Sequence, residues 1–357
     1  MRLIRARIDG ASLRANLKAV RKLAPHSRVM AVVKANAYGH GLVPTALALA
    51  EADALAVARL EEAVALRDAG LKRPILLLEG VFNAAQLAEA AQLDLDLVVH
   101  EAQQIALLES FGRPHAWSLW LKVDTGMNRL GFRPEEFRGA WQRLRGLRSP
   151  TPQLRVLTHL AAAHDVDGRQ TAEQLARFRP LIDGLDAELS IANSAGVLAH
   201  PSTHAQWVRP GLALYGISPI PGRPGTQFGL RPVMTLESTV IAVRDVPPGE
   251  HVGYGGEWRA ERRSRIAIVA AGYGDGLTRS IPNGAPLLIG GRRAKVAGRP
   301  SMDMIAVDIT DLPPVAVNDP VELWGAHLAV EELAAAAGTI PYELLCGVSQ
   351  RVPIELV

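Results

Sequence analysis

One cysteine in 357 residues is the first scarcity in this sequence. A single thiol, Cys346, excludes an internal disulfide, a cysteine-based zinc site and an iron–sulfur cluster, so a disulfide-stapled secreted module is ruled out and the residue is expected to serve packing. Long apolar runs are missing as well. The longest clean one, Ile266 to Ala271, is far below the roughly 18 residues that a spanning helix requires. The opening MRLIRARIDGASLRANL carries basic residues but no apolar stretch of signal-peptide length before Asp9 and Arg14, so a soluble, cytoplasmic protein is expected. Charge of one sign is absent too, with 39 basic residues against 36 acidic ones. The densest basic stretch, Arg259 to Arg265, has no interleaved aromatics to stack bases, which argues for a solvated turn and against nucleic-acid binding.

What is present is a repeating pattern. Short β-branched or apolar runs at Val29–Val33, Ala54–Val57, Ile75–Leu78, Leu97–Val99, Trp117–Val123, Leu154–Thr158, Glu188–Ile191 and Trp207–Val208 read as eight strands. Between them, 60–69, 84–91, 102–108, 135–147 and 171–185 read as helices. Eight strand-helix units in about 200 residues fit a (β/α)8 TIM-like barrel. A doubly wound sheet is the alternative, but it would place a glycine-rich turn after its first strand, where this chain has Lys34. After Tyr215, proline and glycine become frequent, and long β-runs follow at 235–243 and 265–270, with one Ala-rich helix at 331–337. The expected organisation is a barrel over 1–228 and a mainly β-domain over 229–357, with which the first few residues could also pair.

In a barrel, functional side chains gather where strands end. Lys34 closes the first strand, Lys122 and Asp124 the fifth, His159 the sixth, Asn193 and Ser194 the seventh, and Arg209 the eighth. A lysine at the rim of an apolar barrel loses its proton more easily and can condense with an aldehyde to a Schiff base; a surface lysine ending a strand is the alternative. Ser194-Ala195-Gly196 and Gly211 fall where barrels often bind phosphate, although Ser194 could be only a helix N-cap. Phosphate and Schiff-base lysine together point to pyridoxal phosphate. Tyr254 and Tyr273 stand in glycine-bracketed turns, and a tyrosine is a poor base unless cations approach it; packing is the other reading of each.

The blocks AVVKANAYGHG (31–41), KVDTGMNRLG (122–131), TH (158–159), ANSAG (192–196), VRPGLALYG (208–216), GYG (253–255), AGYGDG (271–276) and GRPSMDMIAVD (298–308) stand in this order along nearly the whole chain. In that combination the sequence resembles the alanine racemases. The resemblance implies a pyridoxal-phosphate barrel followed by a β-domain, in a head-to-tail homodimer whose active sites receive residues from the partner. It implies that Lys34 is the Schiff-base lysine and that Tyr38, Ser194 and the backbone near Gly211 hold the phosphate. Arg209, braced by His159, matches the arginine facing the pyridine nitrogen. Arg129 matches the residue near the cofactor's phenolic oxygen and the substrate carboxylate, and Lys122 the lysine often carbamylated to hold it. Tyr254 matches the second base, supplied in trans. Tyr273, Arg279, Arg299, Met302 and Asp303 match the partner-side wall and entrance, with Met302 near the substrate.

Three positions depart from the common pattern: Asn128 where many members have glycine, His164 where an acidic residue often stands, and Gln350 where some place a tyrosine. The function implied is racemisation of alanine by a Lys/Tyr pair working on opposite faces of a planar intermediate. A racemase of broader specificity, such as for serine, is the nearest alternative. An amino-acid decarboxylase would carry an acidic group opposite the ring nitrogen where this chain has Arg209, and a non-catalytic pyridoxal-phosphate carrier would need no Tyr254. No metal is expected.

Overall fold

The structure is a computed structural model that describes residues 3–147 and 150–357. Strand β1 (Arg5–Ile8) is followed by a helix over Gly10–Leu23, then by the eight strands of a closed parallel barrel. These are β2 (Arg28–Val32), β3 (Ala54–Val57), β4 (Ile75–Leu77), β5 (Asp96–Val99), β6 (Ser118–Lys122), β7 (Gln153–Leu157), β8 (Leu189–Ser190) and β9 (Trp207–Val208), and β9 closes on β2. Their side chains are almost continuously buried, as in any parallel sheet covered on both faces. The (β/α)8 expectation therefore holds, with strands within a residue or two of those read from the pattern. The first helix, Gly10–Leu23, was missed; its start is set by Asp9, whose Oδ1 accepts the N–H groups of Ala11 and Ser12.

The end of the barrel where the strands begin is sealed by a polar ring. Arg155 donates to Glu188 Oε2 and Ser118 Oγ, both at 2.7 Å, while Trp120 and Trp207 donate their indole N–H groups to Asp96 and Glu188. That plug leaves the opposite mouth as the open one.

After β9 the chain builds a mainly antiparallel sheet from β10 (Met234–Val246), β13 (Ser264–Val269), β14 (Pro286–Ile289), β15 (Arg292–Val296), β16 (Ile305–Asp308), β17 (Pro320–Trp324) and β18 (Ile354–Leu356). A small hairpin, β11 (His251–Val252) with β12 (Trp258–Arg259), stands apart from it. β1 lies within this sheet, antiparallel to β10 and parallel to β18. Two helices interrupt the sheet, Val330–Ala336 and Pro341–Gly347, where the pattern indicated one. Both are seven residues long; the first announces itself by its alanine run, whereas the second, PYELLCG, has no such composition. Among the described residues no helix is long and apolar enough to cross a membrane.

Candidate active site

Lys34 does not end a strand. β2 stops at Val32, and from Ala35 to Tyr38 four consecutive non-glycine residues take φ of 53–54°, a single left-handed turn. Left-handed backbone costs about 1–2 kcal/mol per such residue, so the turn must be held from outside. Asn36 Oδ1 accepts the Leu42 N–H at 2.8 Å, and Glu62 Oε1 accepts the Ala35 N–H at 2.6 Å. Fully buried His40 faces the Ala37 and Tyr38 carbonyls with Nδ1 at 3.0 and 2.9 Å; burial pushes its pKa down to about 4, so the neutral ring donates there. Gly39 packs so closely on the helix at 341–347 that a Cβ would lie 2.1 Å from the Leu345 carbonyl oxygen.

This turn delivers Tyr38 to a cradle made by the chain after β8 and β9. The Ser194 hydroxyl oxygen accepts the N–H groups of Gly211 and Ala213 at 2.9 and 3.1 Å, and a Cβ on Gly211 would lie 2.4 Å from the Tyr38 hydroxyl. Gly211 is thus a glycine because of close approach. Neither hydroxyl finds an acceptor among the described residues, and burial raises the Tyr38 pKa, so both are free to donate to an anion. Asn193, not Ser194, caps the short helix here by accepting the Gly196 N–H, which removes the N-cap alternative for Ser194. The Tyr38 ring lies among Tyr215 at 4.9 Å and Tyr342 at 5.8 Å between centroids.

Positive charge is concentrated at the same mouth. Arg209 is 4% exposed and has no carboxylate partner among the described residues; its guanidinium donates to Ser190 Oγ and the Thr158 carbonyl, both at 2.6 Å, and burial lowers its pKa to about 10. Bracing by His159 was expected, but among the described residues no hydrogen bond joins the two. His159 instead stands close enough to feel Arg209: burial, then the charges of Arg209, Lys122, Arg129 and Lys34, push its pKa down to about 3. Lys122, 8% exposed, is held near pKa 8 by burial and by Arg129 and Arg209, against Asp124. Burial, then Arg129, also lowers the Lys34 pKa, while Glu79 and Glu62 oppose this. Lys34, Lys122, Arg129 and Arg209 crowd one opening with His159 neutral among them, an arrangement that favours an anion there.

Arg129 projects from a loop organised by Asp124, whose Oδ1 accepts three successive N–H groups, from Gly126, Met127 and Asn128. Asn128 sits at φ 57°, a conformation asparagine tolerates far better than most residues, which accounts for its standing where glycine is common.

The remaining expected site residues lie on the surface of the β-domain. Tyr254 is 68% exposed, Met302 53% and Tyr273 40%; Arg279, Arg299 and Asp303 are exposed as well. Their loops are stacked together: Tyr273 N–H donates to the Ser301 carbonyl at 3.0 Å, Gly274 N–H to Met302 at 2.8 Å, and Gly253 packs on Arg299. Arg299 pairs with Glu257. Among the described residues, no hydrogen bond or ring contact joins this face to the Lys34 cluster.

Several residues at these sites were not read from the sequence. Arg351 ties the two loops, donating to Asp275 and to Asp303 at 2.8 Å each. Tyr342 beside Tyr38, and Glu62 behind Lys34, are the others at the mouth; of these only Glu62 had a local signal, as the third residue of a helix whose start it caps. Gln350 and His164 are exposed. Cys346, expected to serve packing, is exposed at the mouth and close enough to interact with Lys34; it follows Leu345 in the helix that covers the turn.

Residues 8–219 match the sequence family described as alanine racemase, N-terminal domain, and residues 233–356 match alanine racemase, C-terminal domain. The chain belongs to the alanine racemase family. It is 48% identical to an alanine racemase of Nitrosomonas eutropha over 355 residues, covering 99% of this chain and 98% of that protein. It is 46% identical to a catabolic alanine racemase of Pseudomonas putida, covering 100% and 99%. The biosynthetic alanine racemase of Pseudomonas aeruginosa superposes with a TM-score of 0.97 at 46% identity, with both chains covered in full. Family members named as catabolic and as biosynthetic thus stand at the same identity to this chain.

Proposed function

We propose that the protein interconverts L- and D-alanine with pyridoxal phosphate as cofactor, residues 1–228 forming the cofactor-binding barrel, apart from β1 in the neighbouring sheet, and 229–357 a β-domain that completes the site of a second copy. The observation that carries this reading is the mouth itself: a lysine and, among the described residues, two hydroxyls that find no acceptor and a buried arginine that finds no carboxylate, all at the open end of one barrel. The fit of the cofactor's groups rests on that set. Tyr38, Ser194 and the close approach at Gly211 suit a phosphate, and Lys34 suits an aldehyde.

Bound there, pyridoxal phosphate supplies an electrophilic ring that acidifies the Cα–H of an amino acid joined to its aldehyde. Arg209 would offer the ring nitrogen a cation in place of a carboxylate, which would disfavour its protonation and restrain competing transamination, and neutral His159 would stand beside the ring. Arg129 binds the substrate carboxylate. Lys34 Nζ takes or returns the Cα proton on the face of D-alanine, and Tyr254 Oη from the partner does so on the face of L-alanine. The exposure of Tyr254, Tyr273 and Met302 supports a face made for a second copy, whose Arg279, Arg299 and Asp303 would line the entrance. Lys122 as a carbamate would put a negative charge between Arg129 and Arg209: its neutral amine adds to carbon dioxide, forming an N–C bond and releasing one proton.

Incubation of the purified protein with L-alanine and pyridoxal phosphate is expected to yield D-alanine up to an equal mixture. Alanine that stays wholly L with cofactor bound would sink the reading, and serine racemisation or carbon dioxide release from basic amino acids would then be examined. For Lys122, ¹³C-bicarbonate should give a protein-bound carbamate signal that grows as pH rises through about 8, where the amine loses its proton, and that is lost in Lys122→Ala. No signal well above that pH would exclude the carbamate.

A further inference from the structure

We propose that Glu62 is a positioning residue for Lys34: its carboxylate clamps the strained turn that carries the lysine and supplies the negative charge behind it. The inference rests on the reading of Lys34 as the cofactor lysine, and extends it to a residue outside that site's motifs.

The geometry is specific. Glu62 Oε1 accepts the Ala35 N–H at 2.6 Å, and Oε2 accepts those of Ala58 and Arg59 at 3.0 and 3.1 Å. The Ala35 N–H belongs to the peptide that leaves Lys34. Fixing it fixes the plane of the Lys34 carbonyl and so the direction in which the side chain departs from the backbone. The same carboxylate anchors the end of β3 and the start of the helix at Leu60–Asp68, so two neighbouring strand ends are joined through one residue. Glu62 is the one charged side chain hydrogen-bonded to the left-handed turn among the described residues; the other clamps, Asn36, His40 and the Leu345 backbone, are neutral.

Charge adds a second effect. The groups acting on the Lys34 ammonium are Arg129, which disfavours it, and Glu79, Glu62 and Cys346, which favour it, with burial the largest influence against the charged form. Glu79 is itself paired with Arg59 at 3.3 Å. The Glu62 carboxylate has no side-chain cation bound to it among the ion pairs of the described residues, and its lone pairs are spent on backbone N–H groups.

Glu62→Ala and Glu62→Gln test this in the full-length protein. Glutamine keeps one acceptor oxygen but must turn an NH2 toward a donor, so it should lie between the native residue and alanine. In Glu62→Ala the amides of residues 35–39 should exchange with deuterium about 10-fold faster or more than in the native protein, while amides in β6 and β7 are unchanged. Turnover should fall on the order of 10-fold with KM for alanine changed little, because substrate contacts are untouched. In protein stripped of cofactor, the pH at which Lys34 becomes reactive toward pyridoxal phosphate, trapped with borohydride and located by mass spectrometry, should move down in both variants. Unchanged exchange at 35–39 together with an unshifted pH of trapping would overturn the proposal, as would a uniform rise in exchange across the barrel, which marks mere loss of stability. If Lys34 of the native protein is not labelled at all, the cofactor reading fails instead, and the exchange measurement still decides whether Glu62 holds the turn.

Discussion

Lys34→Ala is expected to reduce alanine racemisation by roughly 10⁴-fold or more, the largest loss of any single substitution, because one change removes both a covalent anchor and a proton carrier. The side chain stands at an opening where Arg129 disfavours its charge, and its own charge in turn lowers the pKa of Lys122 and of His159. Alanine leaves the strained turn intact, since the left-handed residues are 35–38 and the hydrogen bonds that hold them do not use the Lys34 side chain. Folding should therefore persist, and the cofactor should still bind through Tyr38, Ser194 and the Gly211 approach, but reduction with borohydride should no longer attach it to the chain. Retention of even a tenth of native turnover, or borohydride attachment at another lysine such as Lys122, would remove Lys34 from its assigned role.

Tyr254→Phe should lower racemisation by roughly 10²–10⁴-fold, the span of a lost general acid–base group, with cofactor content unchanged. The variant separates the two faces. With Lys34 intact, D-alanine in deuterated water should still exchange its Cα hydrogen without inverting, whereas L-alanine should show little exchange. Equal exchange of both enantiomers would show that tyrosine does not serve the L face.

The same variant tests where Tyr254 acts. It is 68% exposed, and among the described residues no hydrogen bond or ring contact ties it to the mouth of its own barrel. If it completes a partner's site, inactive Lys34→Ala and inactive Tyr254→Phe chains mixed equally and allowed to exchange subunits should recover about a quarter of native activity. Half the dimers are then mixed, and each of those holds one site with both bases. Absence of recovery, with subunit exchange confirmed by mass, would place both bases on one chain.

Much of this was open to reading in the sequence. Barrel strands are buried on both faces, so VMAVV, ALAV and ILLL declare themselves by composition alone, and strand ends then fall at fixed points along the chain. Lys34, Lys122, His159, Ser194 and Arg209 were found that way, and the structure gathers them at one mouth. Other features were decided only by tertiary structure. Ala35-Asn36-Ala37-Tyr38 contains no glycine and would by itself favour ordinary backbone; four left-handed residues persist because Glu62, Asn36, His40 and the Leu345 backbone hold them. Cys346 and Tyr342 lie some three hundred residues from Lys34 and Tyr38, and only the docking of a seven-residue helix brings them to the mouth. Local composition sets which segments are buried and where each strand stops. Which distant side chains converge on the lysine depends on packing between elements, which no stretch of sequence encodes on its own.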